Sequence, residues 1–224
     1  MGNDDEINKS ILNGQQGHWQ RMYVQNAQMF GEEASYAAVR ACSLFKAQGK
    51  TKILELGGGQ GRDTIFFAGQ GLEVCALDYS EEGLEAITQE AKTRGVSSLV
   101  RTVYHDVRQP LPFDHCIFDA CYSHMLYCMA LTTSELEGLS GEARRVLKQD
   151  GLNVYTVRNT KDPHYRTGID RGDDMWEIGG GFVVHFFGQE TVKRLAKGYQ
   201  IIDIEEFDET QLPRKLYLVI LKKI

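Results

Sequence analysis

From residue 51 onward the apolar positions fall into short continuous runs separated by amphipathic stretches. "TKILELG" (51–57), "LEVCALD" (72–78), "LVRTVYHD" (99–106), "IFDACYSHM" (117–125) and "LNVYTVRN" (152–159) read as strands. Runs of this length, apolar without alternation, suit strands covered on both faces. Between them "RDTIFFAGQG", "SEEGLEAITQEAKTRG" (80–95) and the stretch from about 134 to 148 have helical spacing. Ser80 stands where an N-cap belongs, with Glu81 and Glu82 at the positive end of its helix. Strands alternating with helices predict an α/β fold, a parallel sheet with helices on both faces.

The two ends depart from this rhythm. Residues 1–48 read as two helices, the second being "EEASYAAVRACSLFKAQG", capped by Ser35 and stopped by Gly49. After residue 159 comes a polar, Gly-rich stretch, "TKDPHYRTGIDRGDDMWEIGGG". It reads as a long loop, and loops of that length are commonly lids or binding segments. A helix over about 188–198 and two strands, "QIIDIEEF" and "KLYLVILKK", close the chain. The link between those strands is too short for a parallel crossover, so they are expected to form an antiparallel hairpin.

Composition narrows the setting. The 224 residues suit one domain with attachments, and 42% hydrophobic with 25% charged residues is ordinary for a globular protein. A net charge of −6 offers no electrostatic footprint for nucleic acid. No apolar run approaches the roughly 20 residues of a membrane span. The acidic start "MGNDDEINKS" is unlike a signal peptide, and Glu6 stands where myristoylation prefers Ser or Thr. The expectation is a cytoplasmic protein without membrane partners. Five cysteines lack C-x-x-C spacing, so no metal is expected, and Cys75 reads as a small buried hydrophobe.

The chemistry concentrates behind the first strand. "ILELGGGQGRDT" (53–64) packs Gly57, Gly58, Gly59 and Gly61 into five positions, at the carboxyl end of a strand and the head of a helix. In an open α/β sheet ligands bind there, where backbone N–H groups face them. The run is G-x-G-x-G from Gly57, with Arg62 where a dinucleotide fingerprint has its third glycine, and no G-K-[ST] follows. Asp78 ends the second strand, where a carboxylate can accept both hydroxyls of a ribose, and Asp106 closes the third. An Asp at such a place can also serve as a turn or cap residue. A glycine loop with two carboxylates on one sheet edge suits a nucleoside carrying positive charge.

These motifs, with "VCALDYS", "VYHDVRQPLPF" and "EARRVLKQDGLNVYTV", resemble the successive motifs of class I S-adenosylmethionine-dependent methyltransferases over roughly residues 50–158. The glycine loop followed by Arg-Asp is similar to small-molecule members, including the tellurite-resistance and thiopurine-type groups. The resemblance implies a Rossmann-like, doubly wound seven-stranded sheet with an antiparallel terminal strand. The chain is expected to divide into an N-terminal helical cap (1–48) and a cofactor-binding domain (49–224), with 159–187 as a loop covering the substrate.

It also implies site roles. Glu55, Gly57, Gly58, Gly59 and Gly61 would line the methionine and ribose part of S-adenosylmethionine, with Arg62 facing a carboxylate. Asp78 would hold the ribose hydroxyls, with Tyr79 on the adenine and Ser80 beside it. Asp106 would accept the adenine amino group and Val107 offer its N–H. His105 is expected to point away from Asp106 and pack. Ser123 and His124 would sit near the transferable methyl. A hydroxyl or amine acceptor would require a base, for which His124 is the candidate, its alternative being a strand-end histidine bonded to backbone. A thiolate or similar soft anion would require none. Trp19, Tyr23, Tyr127, Arg158 and His185 are candidates for the substrate pocket. An aromatic roof of Trp19, Tyr23, Phe30 and Tyr36 is expected on one side, and a wall with Tyr165, Arg171, Trp176 and Glu177 on the other. His164 and His185 lack metal-ligand spacing. The expected activity is methyl transfer to a small molecule, releasing S-adenosylhomocysteine. A protein or RNA methyltransferase, a non-catalytic nucleoside-binding module and, least, an NAD-dependent oxidoreductase are the competing readings.

Overall fold

A computed structural model describes residues 2–26, 29–209 and 213–224. Among the described residues the strands are β1 (Lys52–Leu56), β2 (Glu73–Asp78), β3 (Val100–Tyr104), β4 (Phe118–His124), β5 (Leu147–Arg158), β6 (Ile169–Gly172), β7 (Met175–Ile178), β8 (Phe182–His185), β9 (Tyr199–Glu209) and β10 (Arg214–Lys223). Six helices are α1 (Gly2–Gln25), α2 (Tyr36–Ala47), α3 (Arg62–Gly69), α4 (Glu81–Thr93), α5 (Thr133–Val146) and α6 (Gln189–Leu195). Seven strands form one sheet in the order β3-β2-β1-β4-β5-β10-β9. β1 pairs in parallel with β2 and β4, and β10 runs antiparallel to both β5 and β9. The strand order reverses between β1 and β4, which opens a crevice at their carboxyl ends.

Alternate residues of each central strand enter different cores. Leu54, Leu56, Leu77 and Cys121 join the side covered by α5 and α6, while Ile53, Val74, Ala120 and Tyr122 join the side covered by α2. Burial on both faces is why these strands are apolar without alternation. Ser35 and Ser80 cap α2 and α4 as expected, accepting the N–H groups of Ala38 and Gly83. α5 begins at Thr133, just ahead of the expected Ser134. Thr132 is its cap and forms a reciprocal capping box with Glu135. β5 starts earlier than residue 152 because α5 passes into it directly, the chain turning through Asp150 at φ 61°.

The stretch from 160 to 181 is not a structureless loop. β6, β7 and β8 form a separate three-stranded antiparallel sheet. β6 and β7 are joined by Asp173 and Asp174, both at positive φ (52° and 57°). Consecutive positive φ values give the hairpin twist that Asn-Gly or Asp-Gly normally signals, and Asp-Asp carries that signal weakly. Among the described residues no helix is long and apolar enough to cross a membrane.

Candidate active site

The carboxyl ends of β1, β2, β4 and β5 border one cleft. Its narrow end is lined by Asp78, Tyr79, His105, Asp106, Val107 and Leu126. Its wide end encloses about 1120 Å³ including its open mouth. Glu55, Gly57, Gly59, Asp78 and Tyr79 line it on one side, and His124, Met125, Arg158, Glu209 and Arg214 on the other. The two ends share Gly57, Asp78, Tyr79, Leu126 and Met129, so the cleft is continuous.

Asp78 organises the middle. Its Oδ2 accepts the Gly59 N–H at 2.8 Å and its Oδ1 the Ser80 N–H at 2.9 Å. Burial raises its carboxyl above the usual range, opposed by those same N–H groups. Each oxygen keeps a lone pair for a further donor. Gly57 and Gly59 have φ values of +74° and +54°. A Cβ on Gly57 would stand 3.0 Å from Leu126 Cβ, and one on Gly59 3.0 Å from Tyr23 Oη, so side chains here would close the cleft.

Gly58 and Gly61 have other work and do not line the cleft. A Cβ on Gly61, at φ +91°, would lie 2.6 Å from Ile87 Cγ1, so this glycine seats α3 against α4. Gly58 faces Ile87, Ala76 and Thr64. Gly83, in the first turn of α4, was not expected to matter. A Cβ there would meet the Gly59 carbonyl oxygen at 2.5 Å, so its bareness admits the loop.

Glu55 is 3% exposed and accepts a short hydrogen bond from Thr64 Oγ1. Burial, helped by the nearby Asp63 charge, pushes its carboxyl up to about 8. Asp63 shows the opposite outcome: burial alone would raise it, but Arg62 and the Ser35 N–H hold it below the usual carboxylate range. Asp63 also accepts Ser35 Oγ and Tyr122 Oη, at 2.7 and 2.8 Å. Arg62 lines the cleft with its Nε 3.0 Å from Asp63 Oδ1.

At the narrow end Arg108 grips Asp106, with Nη2 2.6 Å from Oδ2. Burial opposes ionisation of Asp106, and these bonds from Arg108 outweigh it, so its carboxyl lies low. Among the described residues nothing accepts from the Val107 N–H. Tyr79 forms the adjoining wall, its hydroxyl raised by burial. His105 lines this end rather than packing away from it, because the backbone turns after β3 ends at Tyr104.

α1 roofs the cleft. Trp19, Tyr23, Met29 and Phe30 face it, with Trp19 and Phe182 ring centroids 5.0 Å apart. Tyr36 is not part of this roof. It is 48% exposed and lies tilted against Phe207. Polar clasps hold α1 in place: Gln16 donates to the Tyr79 carbonyl, Gln20 accepts from Ser80 Oγ, and Gln15 donates to the Gly181 carbonyl. Ser80 is therefore committed to capping α4 and holding α1, not to facing the cleft. The small sheet supplies Ile178, Phe182 and Val184 to the cleft. The residues expected there do other work: Arg171 pairs with Glu177, Tyr165 donates to Asp174, and Trp176 packs on the core.

At the far end His124 Nδ1 lies 3.0 Å from Thr156 Oγ1, which also accepts the Met125 N–H at 3.0 Å. His124 Nε2 is 3.6 Å from Glu209 Oε1, whose other oxygen is 3.1 Å from Arg214 Nη1. Burial works against ionisation of Glu209, but His124 and Arg214 outweigh it and bring the carboxyl to about 2. Arg158 is buried against Asp162, with Nη2 2.6 Å from Oδ1.

Three expected site residues sit elsewhere. Tyr127 is fully buried and stacked on Tyr155 at 4.5 Å, beneath the cleft floor. His185 is 2% exposed and holds the Leu131 carbonyl at 2.8 Å through Nδ1. Ser123 is fully buried, since neighbouring strand residues alternate and His124 takes the cleft-facing role. His164 Nδ1 lies 2.7 Å from Arg158 Nη2, and among the described residues no group of three or more acidic, Cys or His side chains is placed to hold a metal. Asp63, Glu209 and Arg214 were missed. Asp63 stood beside the flagged Arg62, but nothing in the sequence indicated that the last hairpin returns to the cleft.

A seven-stranded sheet with one reversed strand and a carboxylate-lined cleft at its switch point is a Rossmann-like fold of the kind methyltransferases have. Residues 53–151 match a family model described as a methyltransferase domain. No curated protein matches the chain in sequence. Among solved structures, the chain is similar to 1,6-didemethyltoxoflavin-N1-methyltransferase of Burkholderia thailandensis, solved with 1,6-didemethyltoxoflavin and S-adenosylhomocysteine bound. That pair shares 17% identity at a TM-score of 0.73, covering 96% of this chain and 88% of the other. A S-adenosylmethionine-dependent methyltransferase of Methanosarcina mazei gives 16% identity and a TM-score of 0.70, covering 85% and 99%. The [4+2]-cyclase SpnF matches at 17% identity and a TM-score of 0.70, covering 93% and 94%.

The cleft fits S-adenosylmethionine. Asp78 would present two carboxylate oxygens to its ribose and Val107 an N–H to its base, and Gly57 and Gly59 leave the bare backbone that close approach requires.

Proposed function

We propose that the protein transfers a methyl group from S-adenosylmethionine to a small-molecule acceptor. The carrying observation is the continuity of the cleft, from Val107 past Asp78 to His124. In this reading Asp78 holds the ribose hydroxyls, Tyr79 and Leu126 flank the base, and Val107 offers it a hydrogen bond. Glu55 and Arg62 line the amino-acid end. The bound cofactor supplies an activated methyl on a sulfonium. The protein's own task is to align an acceptor at near-attack distance and exclude water.

Phe182, Ile178 and Val184 oppose Met125, Met129 and Phe30 across the wide end. That favours a flat, largely apolar acceptor, with polar contacts only at the His124–Glu209–Arg214 edge. The structural neighbour with 1,6-didemethyltoxoflavin bound supports a small-molecule substrate. We place the N-terminal helices as a cap and the β6–β8 sheet as a substrate cover, in a protein of the cytoplasm. Because a cyclase shares this fold, the site and not the fold has to carry the assignment.

Calorimetric titration with S-adenosylmethionine and S-adenosylhomocysteine tests the reading. Binding is expected, and Asp78→Ala should weaken it about 10- to 100-fold, the loss of one or two charge-assisted hydrogen bonds. A labelled-methyl screen over phenols, N–H heterocycles, amines and thiols then identifies the acceptor. Absence of binding by folded wild-type protein would sink the reading.

A further inference from the structure

The far end of the cleft contains two groups that a cofactor-binding site does not require. His124 ends β4, and Glu209 ends β9, on the far side of β5 and β10. The hairpin register explains how they meet. The last rung between β10 and β5 is Leu216 with Arg158, yet β10 and β9 stay paired to Arg214 with Glu209. This overhang carries Glu209 and Arg214 beyond the end of β5 and back over the cleft, where both line the wall with His124.

The imidazole is held from two sides. Thr156 Oγ1 engages Nδ1 at 3.0 Å and is itself fixed by the Met125 N–H, so the ring orientation is set from β5. That leaves Nε2 toward the cleft, with Glu209 Oε1 at 3.6 Å, an ion-pair distance too long for a direct hydrogen bond. Other charged groups lining the cavities that His124 borders are Glu55 from β1, Asp63 and Arg62 from α3, Arg158 from β5, Asp208 from β9 and Arg214 from β10, with Glu32 and Glu33 ahead of α2. Each of these three arginines has a carboxylate of its own: Arg62 with Asp63, Arg158 with Asp162, and Arg214 with Glu209.

Resting on the methyl-transfer reading, we propose that His124 is the general base for an acceptor that carries a hydroxyl or N–H, with Glu209 as the charge partner of the imidazolium. As the acceptor heteroatom bonds to the methyl carbon, the carbon–sulfur bond breaks with its electron pair left on sulfur. The acceptor proton passes to His124 Nε2. The positive charge thus moves from the sulfonium to the imidazolium, beside a carboxylate already in place, with no reorganisation at the moment of transfer. A soft anion such as a thiolate needs no such pair, so the acceptor class is weakly acidic O–H or N–H groups on a flat apolar body.

The test is NMR of the His124 ring in wild type, Glu209→Gln and Glu209→Asp, each with and without S-adenosylhomocysteine. Glutamine keeps the size and the Arg214 hydrogen bond but removes the charge. The His124 ring resonances are expected to move in Glu209→Gln and to be largely restored in Glu209→Asp. Cofactor affinity should be unchanged in both. Ring resonances unmoved in Glu209→Gln would overturn the charge partnership, whether or not the cofactor binds. Failure of wild type to bind S-adenosylhomocysteine would instead remove the methyl-transfer reading on which the base rests. In the acceptor screen, His124→Gln is expected to lower kcat at least 100-fold with KM little changed. Turnover confined to thiols, or indifferent to His124, would overturn the assignment of the base.

Discussion

At the residue scale the glycine loop divides its labour. Gly57 and Gly59 keep the cleft open, while Gly61 is needed for packing, its missing Cβ leaving 2.6 Å to Ile87 Cγ1 at a φ of +91°. Gly61→Ala combines left-handed strain with a clash and is expected to cost about 3 kcal/mol in denaturant unfolding. Gly69→Ala, in open space at the end of α3, should cost nothing measurable. The buried Glu55 carboxyl makes a second prediction. Its value rises on folding from 4.5 to about 8, so between those limits the folded state holds a proton that the unfolded chain has lost. This group therefore makes stability fall as pH rises through that window, by at most about 1.4 kcal/mol per unit. Thermal unfolding of Glu55→Gln should show that slope flattened, with the variant gaining on wild type from pH 5 to pH 8. Parallel curves for the two proteins would count against a neutral Glu55.

At the element scale, α1 lies over the cleft through aromatic contacts of Trp19 with Phe30 and Phe182 and through a set of polar ones. Gln16 and Gln20 tie it to Tyr79 and Ser80 on the cofactor side, and Gln15 to Gly181 on the small-sheet side. Hydrogen bonds of this kind contribute about 1 kcal/mol each, small enough to break and remake as a ligand passes. A Gln16→Ala, Gln20→Ala double variant is expected to release S-adenosylhomocysteine about 5- to 30-fold faster in stopped-flow experiments. The sheet and its far-UV spectrum should be unaffected. An unchanged release rate would mean that α1 is not on the exit route. Trp19, Tyr23 and Phe30 of this roof belong to the aromatic cluster expected from the sequence, and Tyr36 falls outside it.

At the scale of the whole molecule the sheet is the frame on which separate segments converge. The cleft draws on α1, the glycine loop, the ends of β2, β4 and β5, the small β6–β8 sheet and the last hairpin. A ligand touching all of them stabilises the native state as a unit. At a hundred times its dissociation constant, S-adenosylhomocysteine should add about 2.7 kcal/mol, a rise of roughly 5–10 °C in Tm for a chain of this size. Scanning calorimetry reads this directly, and Asp78→Ala should lose most of the shift.

How much of this was legible follows from the range of the forces involved. Capping by Ser35 and Ser80, the two-sided apolar strands, the terminal hairpin and the Asp78 anchor are written in local pattern, because each depends on residues near in sequence or on a strand end with known geometry. The β6–β8 sheet was hidden because its turn uses Asp173 and Asp174, side chains that do not announce a hairpin. Tyr127 and His185 read as pocket residues and are core, since a polar tip on an apolar body looks the same in either place. The sequence by itself determined the order of the layers and the glycines and Asp78 at one end of the cleft. Only the tertiary structure decided the other end, where Glu209 and His124 are 85 residues apart in the chain and brought within 3.6 Å. Their meeting depends on how far one hairpin overhangs its neighbouring strand, a property of register and twist that no single segment contains.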